Sequence, residues 1–311
     1  MIAERIYRNS DYQRIINFLR EMYNSSSNQH CWLPMRLEYA EHLVNPLYIE
    51  RGHDSWHNYI NIWEERGRIV GIAHPEEESN AYLQIRPGYR HLEREMITWI
   101  EDNISERSTA DGCREVFIWA NDSDEYRQNI LRKRGYIRED ECSYLNIQEL
   151  DCPGRPAEDF QPELPDDYNI CTMVDDIAPL KRYNVLRKAF HPGKEDKSEI
   201  PASFLQMLQA PMYKPELDIL VRKQDGQLAA SCLVWYDENI NMRMFEPVGT
   251  HPDHQRKGLG RAAMLAGLQK LKTLGAEKAY VESFGEERYS FYKSAGFRAY
   301  DRDYPWKKQF K

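Results

Sequence analysis

The chain has 311 residues, of which 41% are hydrophobic and 30% charged, and its formal net charge is −8 at pH 7. This length and balance favour two globular domains of about 150 residues each and exclude a disordered chain. The negative net charge argues against nucleic acid as the main partner, because a phosphate backbone is bound by basic surfaces.

Composition also argues against a membrane or an oxidising compartment. No stretch approaches the ~18 consecutive apolar residues that a bilayer span requires, and residues 1–5 lack the apolar core of a signal peptide. The six cysteines include no C-x-x-C pair, which favours reduced, mostly buried thiols. We therefore expect a cytoplasmic protein that binds neither membranes nor nucleic acid.

The predicted elements run in the same order in two halves of the chain. The first half shows, in chain order, a strand and helix over 5–23, a hairpin over 59–74, a strand over 82–85, a helix over 93–104, a strand over 116–120 and a helix over 125–134. The second half shows a strand over 168–173, helices over 175–190 and 202–208, a hairpin over 217–236, a strand over 244–250, a helix over 259–274, a strand over 278–283, a helix over 286–295 and closing strands over 297–301 and 304–310. A repeat of about 160 residues is too long for a solenoid and indicates two copies of one domain.

Between the two halves, the composition changes to that of a linker. Four prolines and several acidic residues fall between positions 150 and 167, with little periodic apolar content. We therefore expect a first domain over 1–150, a proline-rich linker over 151–167 and a second domain over 168–311.

The run from Thr250 to Arg261 is the most informative stretch, since it joins a predicted strand to an amphipathic helix. A helix N-terminus presents free N–H groups and the positive end of the helix dipole. Gly258 and Gly260 let a phosphate approach the backbone without a Cβ in the way. The stretch therefore predicts a phosphate-binding turn.

Two motifs in the second half lie at a spacing that suggests a family. They are Gln255-Arg256-Lys257-Gly258-Leu259-Gly260 and Phe291-Tyr292-Lys293-Ser294-Ala295-Gly296-Phe297. The first fits a Q/R-x-x-G-x-G/A loop and the second a downstream tyrosine-and-glycine signature. Together they resemble the GNAT superfamily of acyl-CoA-dependent N-acyltransferases, and the whole chain resembles a tandem member with a degenerate N-terminal copy.

The resemblance implies an α/β fold with two tandem GNAT domains, each a mixed, mostly antiparallel (α+β) sheet flanked by helices. It implies acetyl-CoA as cosubstrate, with its pantetheine arm along the predicted strand and its pyrophosphate on the loop. The binding positions that carry over are Val248, Gly249, Thr250, Gln255, Arg256, Lys257, Gly258, Leu259, Gly260 and Arg261. One departure is Gly285, where the family often has an asparagine that holds the pantetheine arm; Ser283 or Glu286 are the possible substitutes.

The chemistry of acyl transfer needs a proton donor for the leaving thiolate and a route for the amine's proton. Tyr292 is the candidate donor, because a phenol in a dry pocket can donate a proton to a departing thiolate. Glu246, with the same strand parity as Val248, is one candidate base, Glu282 on the next strand is another, and deprotonation through water is a third. A backbone N–H near Val248 is the candidate oxyanion donor.

The first half lacks the features that the second half offers a phosphate. Its corresponding turn carries Glu93 and Glu95 where the second half has Gly258 and Gly260, and Leu131 stands at the position of the signature tyrosine. Two anionic side chains would repel a pyrophosphate. We expect the first domain to bind no CoA and to perform no chemistry.

Metal chemistry is not indicated by the sequence. His251 and His254 are suitably spaced for a metal, but no third ligand is evident, so no metal site is expected. Three functions remain open: an N-acetyltransferase acting on a small-molecule amine, one acting on a protein amine, and a non-catalytic acyl-CoA-binding regulatory module. The sequence leaves the oligomeric state open between monomer and homodimer.

Overall fold

A computed structural model describes residues 1–25, 32–50, 52, 54–76, 79–107, 112–151 and 156–310, without the side chains of 47–48 and 106–107. The chain divides into two compact units. Unit 1 is Met1–Ser143 together with Asp301–Lys311, and unit 2 is Tyr144–Tyr300.

Unit 1 contains a mixed sheet with helices around it. Its strands are β1 (Ile2–Ile6), β2 (Asn61–Glu65), β3 (Arg68–Pro75), β4 (Asn80–Ile85), β5 (Glu106–Arg107), β6 (Arg114–Asn121) and β7 (Ile137–Arg138). Its helices are α1 (Tyr12–Ser25), α2 (Pro34–Tyr39), α3 (Asn45–Glu50), α4 (Glu93–Asn103) and α5 (Glu125–Lys133), with a π-helical segment, Ala40–Val44, between α2 and α3.

Unit 2 repeats this plan. Its strands are β8 (Ser143–Glu149), β9 (Tyr168–Thr172), β10 (Asp218–Lys223), β11 (Leu228–Asp237), β12 (Met242–Thr250) and β13 (Lys278–Phe284). Its helices are α6 (Pro179–Phe190), α7 (Ala202–Met207), α8 (Leu259–Thr273) and α9 (Glu286–Ser294). The last strand, β14 (Arg298–Phe310), starts in unit 2 and continues in unit 1.

The two sheets have the same strand order. In unit 1 it is β1-β2-β3-β4-β6-β14, and in unit 2 it is β9-β10-β11-β12-β13-β8. In each sheet the first four strands pair antiparallel, and the fourth and fifth pair parallel, β4 with β6 and β12 with β13. The predicted mixed α/β fold and its duplication are confirmed.

The division of the chain differs from the boundaries that the sequence predicts. Residues 301–310, expected in the second domain, pair with β6 and belong to unit 1, while 144–150, expected in the first, belong to unit 2. Alternation of apolar residues identifies a strand but does not specify its partner, so this arrangement was missed. The predicted closing pair of strands is the single strand β14.

The predicted linker is not wholly without structure. Residues 152–155, which include Pro153 and Cys152, lie outside the described residues, but Ala157–Phe160 forms a 3-10 helix. Phe160 is fully buried in the core of unit 2. This one large apolar side chain anchors a segment that lacks apolar periodicity, which is why the sequence pattern did not predict it.

The core of unit 2 lies between its sheet and α8. The inward face of α8 is almost entirely apolar and packs on β10, β11 and β12, leaving its N-terminus beside the end of β12. Gly275 follows the helix at φ +73°, as a C-terminal cap commonly does. This packing holds the predicted phosphate turn on rigid elements.

Two composition-based expectations concern membranes and cysteines. In the described ranges, every helix is too short or too polar to span a bilayer. Cys142, Cys171 and Cys232 are buried free thiols and Cys113 is an exposed one, whereas Cys31 lies outside the described residues.

Candidate active site

The site begins where β12 and β13 diverge. The two strands pair only at Met244 with Tyr280 and at Phe245 with Val281. Beyond these pairs, the described part of β13 offers no strand partner to the segment 248–250, so one edge of β12 is open. An open strand edge can bind the amide groups of an extended ligand in the manner of an added strand.

A β-bulge interrupts β12 immediately before this open edge. Cys232 of β11 lies opposite Val248 and Val234 lies opposite Phe245, so Leu233 alone faces the two residues between them. Phe245 and Val248 therefore share a face of the sheet although they are three positions apart. The sequence predicts Glu246 on the face of Val248 by simple alternation, but the bulge between the two residues breaks that alternation.

The turn after β12 has the backbone conformation of an anion nest. Arg256 has φ +63° and Gly258 has φ +79°, and α8 begins directly afterwards at Leu259. Among the described residues, no main-chain N–H of 256–258 donates to a backbone carbonyl outside regular elements. Alternating left-handed positions point successive N–H groups to one side, where they can bind a phosphate.

Two small residues allow the close packing around this turn. A Cβ at Gly260 would lie 2.7 Å from Thr250 Oγ1 and 3.2 Å from the Phe291 ring. A Cβ at Gly249 would lie 2.8 Å from the Cβ of Ala189 on α6. Gly260 thus lets β12, α8 and α9 pack closely, and Gly249 lets β12 pack closely on α6. Leu259, between the two glycines of the turn, is buried in the core.

The polar side chains of the turn are not all directed at the nest. Lys257 Nζ donates to the Tyr168 hydroxyl at 3.2 Å, and Arg261 Nε donates to the Ser294 carbonyl at 2.8 Å. Gln255 Nε2 donates to the Thr250 carbonyl at 3.3 Å. Arg261 therefore links α8 to the end of α9, and Gln255 closes the turn.

Tyr292 projects from α9 into the core side of the site. Its ring packs against Phe291 and Phe297, with centroid distances of 5.1 and 6.5 Å. Burial raises the pKa of the Tyr292 phenol, and the nearby Cys232 and Glu246 raise this pKa further. The phenol is therefore protonated at neutral pH, as a proton donor must be.

The two candidate bases lie on the strands that diverge. Glu246 is in the bulge of β12, partly buried, and close enough to Tyr292 to affect the pKa of the phenol. Glu282 is on β13 beyond the last pair with β12, and it is also partly buried. Both carboxylates thus lie where β12 and β13 diverge, and Glu246 lies near Tyr292.

The position of the expected asparagine, Gly285, has φ +78° and precedes α9. Asn146 on β8 is a buried amide that the sequence reasoning missed. Its Nδ2 donates to the Val281 carbonyl at 3.1 Å and to Ser283 Oγ at 3.0 Å. Ser283, a suggested substitute for the missing asparagine, is thus bound by an amide from a neighbouring strand.

The two histidines of the turn take part in local contacts. His254 Nδ1 lies 2.8 Å from the Tyr168 hydroxyl, and His251 Nδ1 accepts from the Asp253 N–H at 3.2 Å. Burial lowers the pKa of His254, and His251 and Lys257 lower it further. Within the described ranges, no group of three or more His, Cys, Asp and Glu residues is arranged to hold a metal ion.

In unit 1 the corresponding turn is occupied by its own side chains. The Glu93 carboxylate is fully buried and forms ion pairs with Arg90 and with Arg127 Nε, the latter at 3.1 Å. Arg90 also binds Asp124 at 2.7 Å. The sequence predicted like-charge repulsion at this turn, whereas the arginines neutralise Glu93, so the space is filled rather than left strongly negative.

Asp124 shows the strength of this cluster. Burial alone would raise the pKa of its carboxyl, but Arg127 and Arg90 outweigh burial and hold the pKa below its usual value. Its side chain also accepts from the Arg127 N–H at 3.0 Å and caps α5.

Comparison with known proteins adds an independent finding. Residues 182–297 match the profile of the acetyltransferase (GNAT) family. The chain is 25% identical over 300 residues to a mycothiol acetyltransferase of Nocardiopsis dassonvillei, and the match covers 85% of each chain.

Solved structures with the same fold cover nearly the whole chain. A GCN5-related N-acetyltransferase from Sphaerobacter thermophilus has a TM-score of 0.65 and 19% identity, over 99% of this chain and 95% of that chain. A tandem GNAT protein from the clavulanic acid biosynthesis pathway has a TM-score of 0.64 and 12% identity, over 99% of this chain and 98% of that chain. At these identities the likeness establishes the fold.

Proposed function

We propose that unit 2, whose residues 182–297 match the profile of the acetyltransferase (GNAT) family, transfers an acetyl group from acetyl-CoA to a primary amine of a small molecule, directly within a ternary complex. One grouping carries the proposal: the anion nest at 256–258 follows the open edge of β12 at 248–250. The Tyr292 phenol lies near enough to Glu246, and to Cys232 opposite Val248, for both to raise its pKa.

The nest and the strand edge fit the two ends of acetyl-CoA. The pyrophosphate would lie on the N–H groups of the turn at the start of α8, where Gly258 leaves open space. The pantetheine arm would run along Val248, Gly249 and Thr250, whose edge lacks a strand partner in the described part of β13. Lys257 would reach the phosphates after it leaves Tyr168.

Tyr292 is the proposed acid of the reaction. A phenol with a raised pKa keeps its proton at neutral pH and can donate it through a hydrogen bond. The acceptor is the thiolate that forms when the thioester C–S bond breaks, whose basicity the same apolar surroundings raise. Tyr292 would donate to this sulfur, while an N–H near Val248 stabilises the negative charge on the carbonyl oxygen.

Glu246 is the proposed base, with Glu282 and a water relay as alternatives. The amine acceptor is an ammonium ion at neutral pH and must lose a proton before it attacks the thioester. A partly buried carboxylate can accept that proton, and it also attracts a cation to the place where β12 and β13 diverge. The proximity of Glu246 to Tyr292 favours Glu246 over Glu282.

The acceptor is proposed to be a cationic small molecule. The net charge of the chain is −8, and the carboxylates of Glu246 and Glu282 lie where β12 and β13 diverge. Relatives named mycothiol acetyltransferases support a small-molecule acceptor. We propose further that unit 1 binds no acetyl-CoA, because its own Glu93 lies at the turn that a pyrophosphate would need.

Thiol release tests the proposal. The full chain is incubated with acetyl-CoA and a panel of amines that includes the free-amine form of mycothiol, amino acids, polyamines, aminoglycosides and a lysine-containing peptide. Release of CoA with one small amine, and mass-spectrometric detection of the acetylated amine, is the expected result. Tight binding of acetyl-CoA without thiol release on any amine would instead indicate a regulatory module, and release on the peptide alone would indicate a protein substrate.

A further inference from the structure

A side chain of the neighbouring strand holds the bulge of β12. The indole Nε1 of Trp235, on β11, donates a hydrogen bond of 2.7 Å to the backbone carbonyl of Glu246. A bulge leaves part of the regular ladder unmade, so its peptide groups need other partners. Pro247, the next residue, has no N–H to offer the ladder. The indole hydrogen bond therefore holds the Glu246 carbonyl in place where the strand ladder is irregular.

Trp235 is itself held rigidly. The side chain is fully buried, and its residue pairs with Met244 in the regular part of the ladder. The ring of Tyr213 packs against it at 6.4 Å, with an interplanar angle of 67°. The Tyr213 hydroxyl donates to Asp218 at 3.2 Å, and Asp218 forms a fully buried ion pair with Arg182 at 2.8 Å.

These contacts connect the bulge to the far side of the sheet. Asp218 of β10 lies opposite Leu233 of β11, which in turn faces Glu246 and Pro247 of β12. Asp218 therefore lies on the row of residues that crosses the bulge, and Trp235 pairs with Met244 just before the bulge. The effect of this group on the reaction would therefore run through the Glu246 peptide group.

We propose that Trp235 is a positioning residue for acyl transfer: its indole N–H sets the orientation of the Glu246 peptide group and thereby aims the Glu246 carboxylate at the acceptor amine. This inference rests on the proposed function. Beyond the bulge, residues 248–250 pair with Cys232, Ser231 and Ala230 independently of the indole. Loss of the indole bond therefore changes the reaction step more than acetyl-CoA binding.

Trp235→Phe tests the inference, because it removes the N–H and keeps an aromatic ring. Trp306→Phe is the matched control: Trp306 is also buried, and its Nε1 has no hydrogen-bond partner among the described residues. With the best amine of the panel, we expect Trp235→Phe to lower kcat by about 100-fold, as a small misplacement of a reacting group can. Its KM for acetyl-CoA should stay within about threefold of wild type, and Trp306→Phe should retain both values.

A second variant guards against a folding defect. Incorporation of 3-benzothienylalanine at position 235 keeps the shape of the bicyclic ring and replaces the N–H with sulfur. The same loss of kcat at unchanged acetyl-CoA KM is expected. A kcat equal to that of Trp306→Phe would overturn the inference, as would a parallel fall in kcat and acetyl-CoA affinity. Absence of turnover by the wild-type protein would overturn the proposed function as well, which distinguishes the two failures.

Discussion

Lys257 and Tyr168 are joined by a hydrogen bond of 3.2 Å from Nζ to the phenolic oxygen, and the ammonium also lies 5.7 Å from the centre of the Tyr168 ring. The same hydroxyl contacts His254. The first residue of β9 thus fixes both ends of the turn that precedes α8. This bond keeps the lysine at the edge of the anion nest when no phosphate is present.

Replacement of Lys257 should weaken acetyl-CoA binding. Lys257→Met removes a charge-assisted bond to phosphate, and we expect the Kd measured by calorimetry to rise about tenfold. Lys270→Met, in the last turn of the same helix, α8, is the control and should leave the Kd unchanged. Equal Kd values for the two variants would remove Lys257 from the phosphate site.

Replacement of Tyr292 should affect turnover and not binding. Tyr292→Phe removes the proton donor, and we expect kcat to fall by about 100-fold, the lower range for a lost general acid. Acetyl-CoA affinity should persist because the ring remains in place. Tyr289→Phe, on the same helix with its ring stacked on Tyr144 at 4.9 Å, serves as control. If the two variants turn over at the same rate, Tyr292 is not the acid.

A methyl group at Gly258 should block the nest. This residue has φ +79° and open space around its Cα, so Gly258→Ala costs about 1 kcal/mol of backbone strain and adds a Cβ in the path of the phosphate. Gly67→Ala carries the same backbone cost, since Gly67 has φ +76° and open space in a hairpin of unit 1. Both variants should lose similar stability in urea unfolding, and only Gly258→Ala should lose acetyl-CoA affinity. Loss of affinity in both would indicate a general effect.

Calorimetry should give one bound acetyl-CoA for each chain. Unit 2 offers an open nest, while in unit 1 Glu93, Arg90 and Arg127 fill the equivalent turn. The full chain is the proper sample, since a fragment cut at residue 150 would lack the part of unit 1 that follows residue 300. A stoichiometry of two would contradict the assignment of unit 1 as non-binding.

Acid should destabilise unit 1 through Asp11. Burial opposes ionisation of its carboxylate, but hydrogen bonds from Arg5, the Arg8 N–H and Arg14 outweigh burial and lower the pKa to about 2. A lowered pKa contributes stability that is present above the unfolded pKa of about 3.9 and is lost as pH falls toward 2.

The measurement is the free energy of urea unfolding against pH. At pH 7, Asp11→Asn should lower it by about 2.5 kcal/mol, since the pKa falls from about 3.9 to about 2 on folding and one pKa unit corresponds to about 1.4 kcal/mol. The variant should also lose less stability than wild type between about pH 4 and pH 2. Asp102→Asn, at an exposed carboxylate of α4, should behave as wild type. An unchanged pH dependence in Asp11→Asn would show that this cluster does not control acid stability.

Local signals account for the parts of the fold that could be predicted. The hairpins at Arg66-Gly67 and Asp225-Gly226 have the expected turn residues, and α8 has both an apolar face and a terminal glycine. The duplication could be predicted because these elements recur in the same order in both halves. The strand partners of β8 and β14 could not, because the alternation of apolar residues indicates which face of a strand is buried and not which strand it pairs with.

The site shows the same limit. The glycine turn and Tyr292 were predicted from residue type and spacing, but Tyr168 and Asn146 were not, since each acts from a strand distant in sequence. Trp235 was not predicted because its contact with Glu246 depends on the register of β11 against β12. The bulge of β12 also escaped detection, because an extra residue in one strand is defined by the register of its partner.

The pairing of β14 with β6 has a consequence for how the protein is made. Gln309 lies opposite Glu115, 194 residues away along the chain. Synthesis proceeds from the N-terminus, and pairing across such a separation is slow because a long loop must close first. Unit 1, which includes Met1–Ser143, therefore cannot be completed before β14 is translated, and on the ribosome the edge of β6 stays unpaired by β14 until then. A premature stop within the codons of β14 would damage unit 1, most of which precedes it in the chain by more than 150 residues.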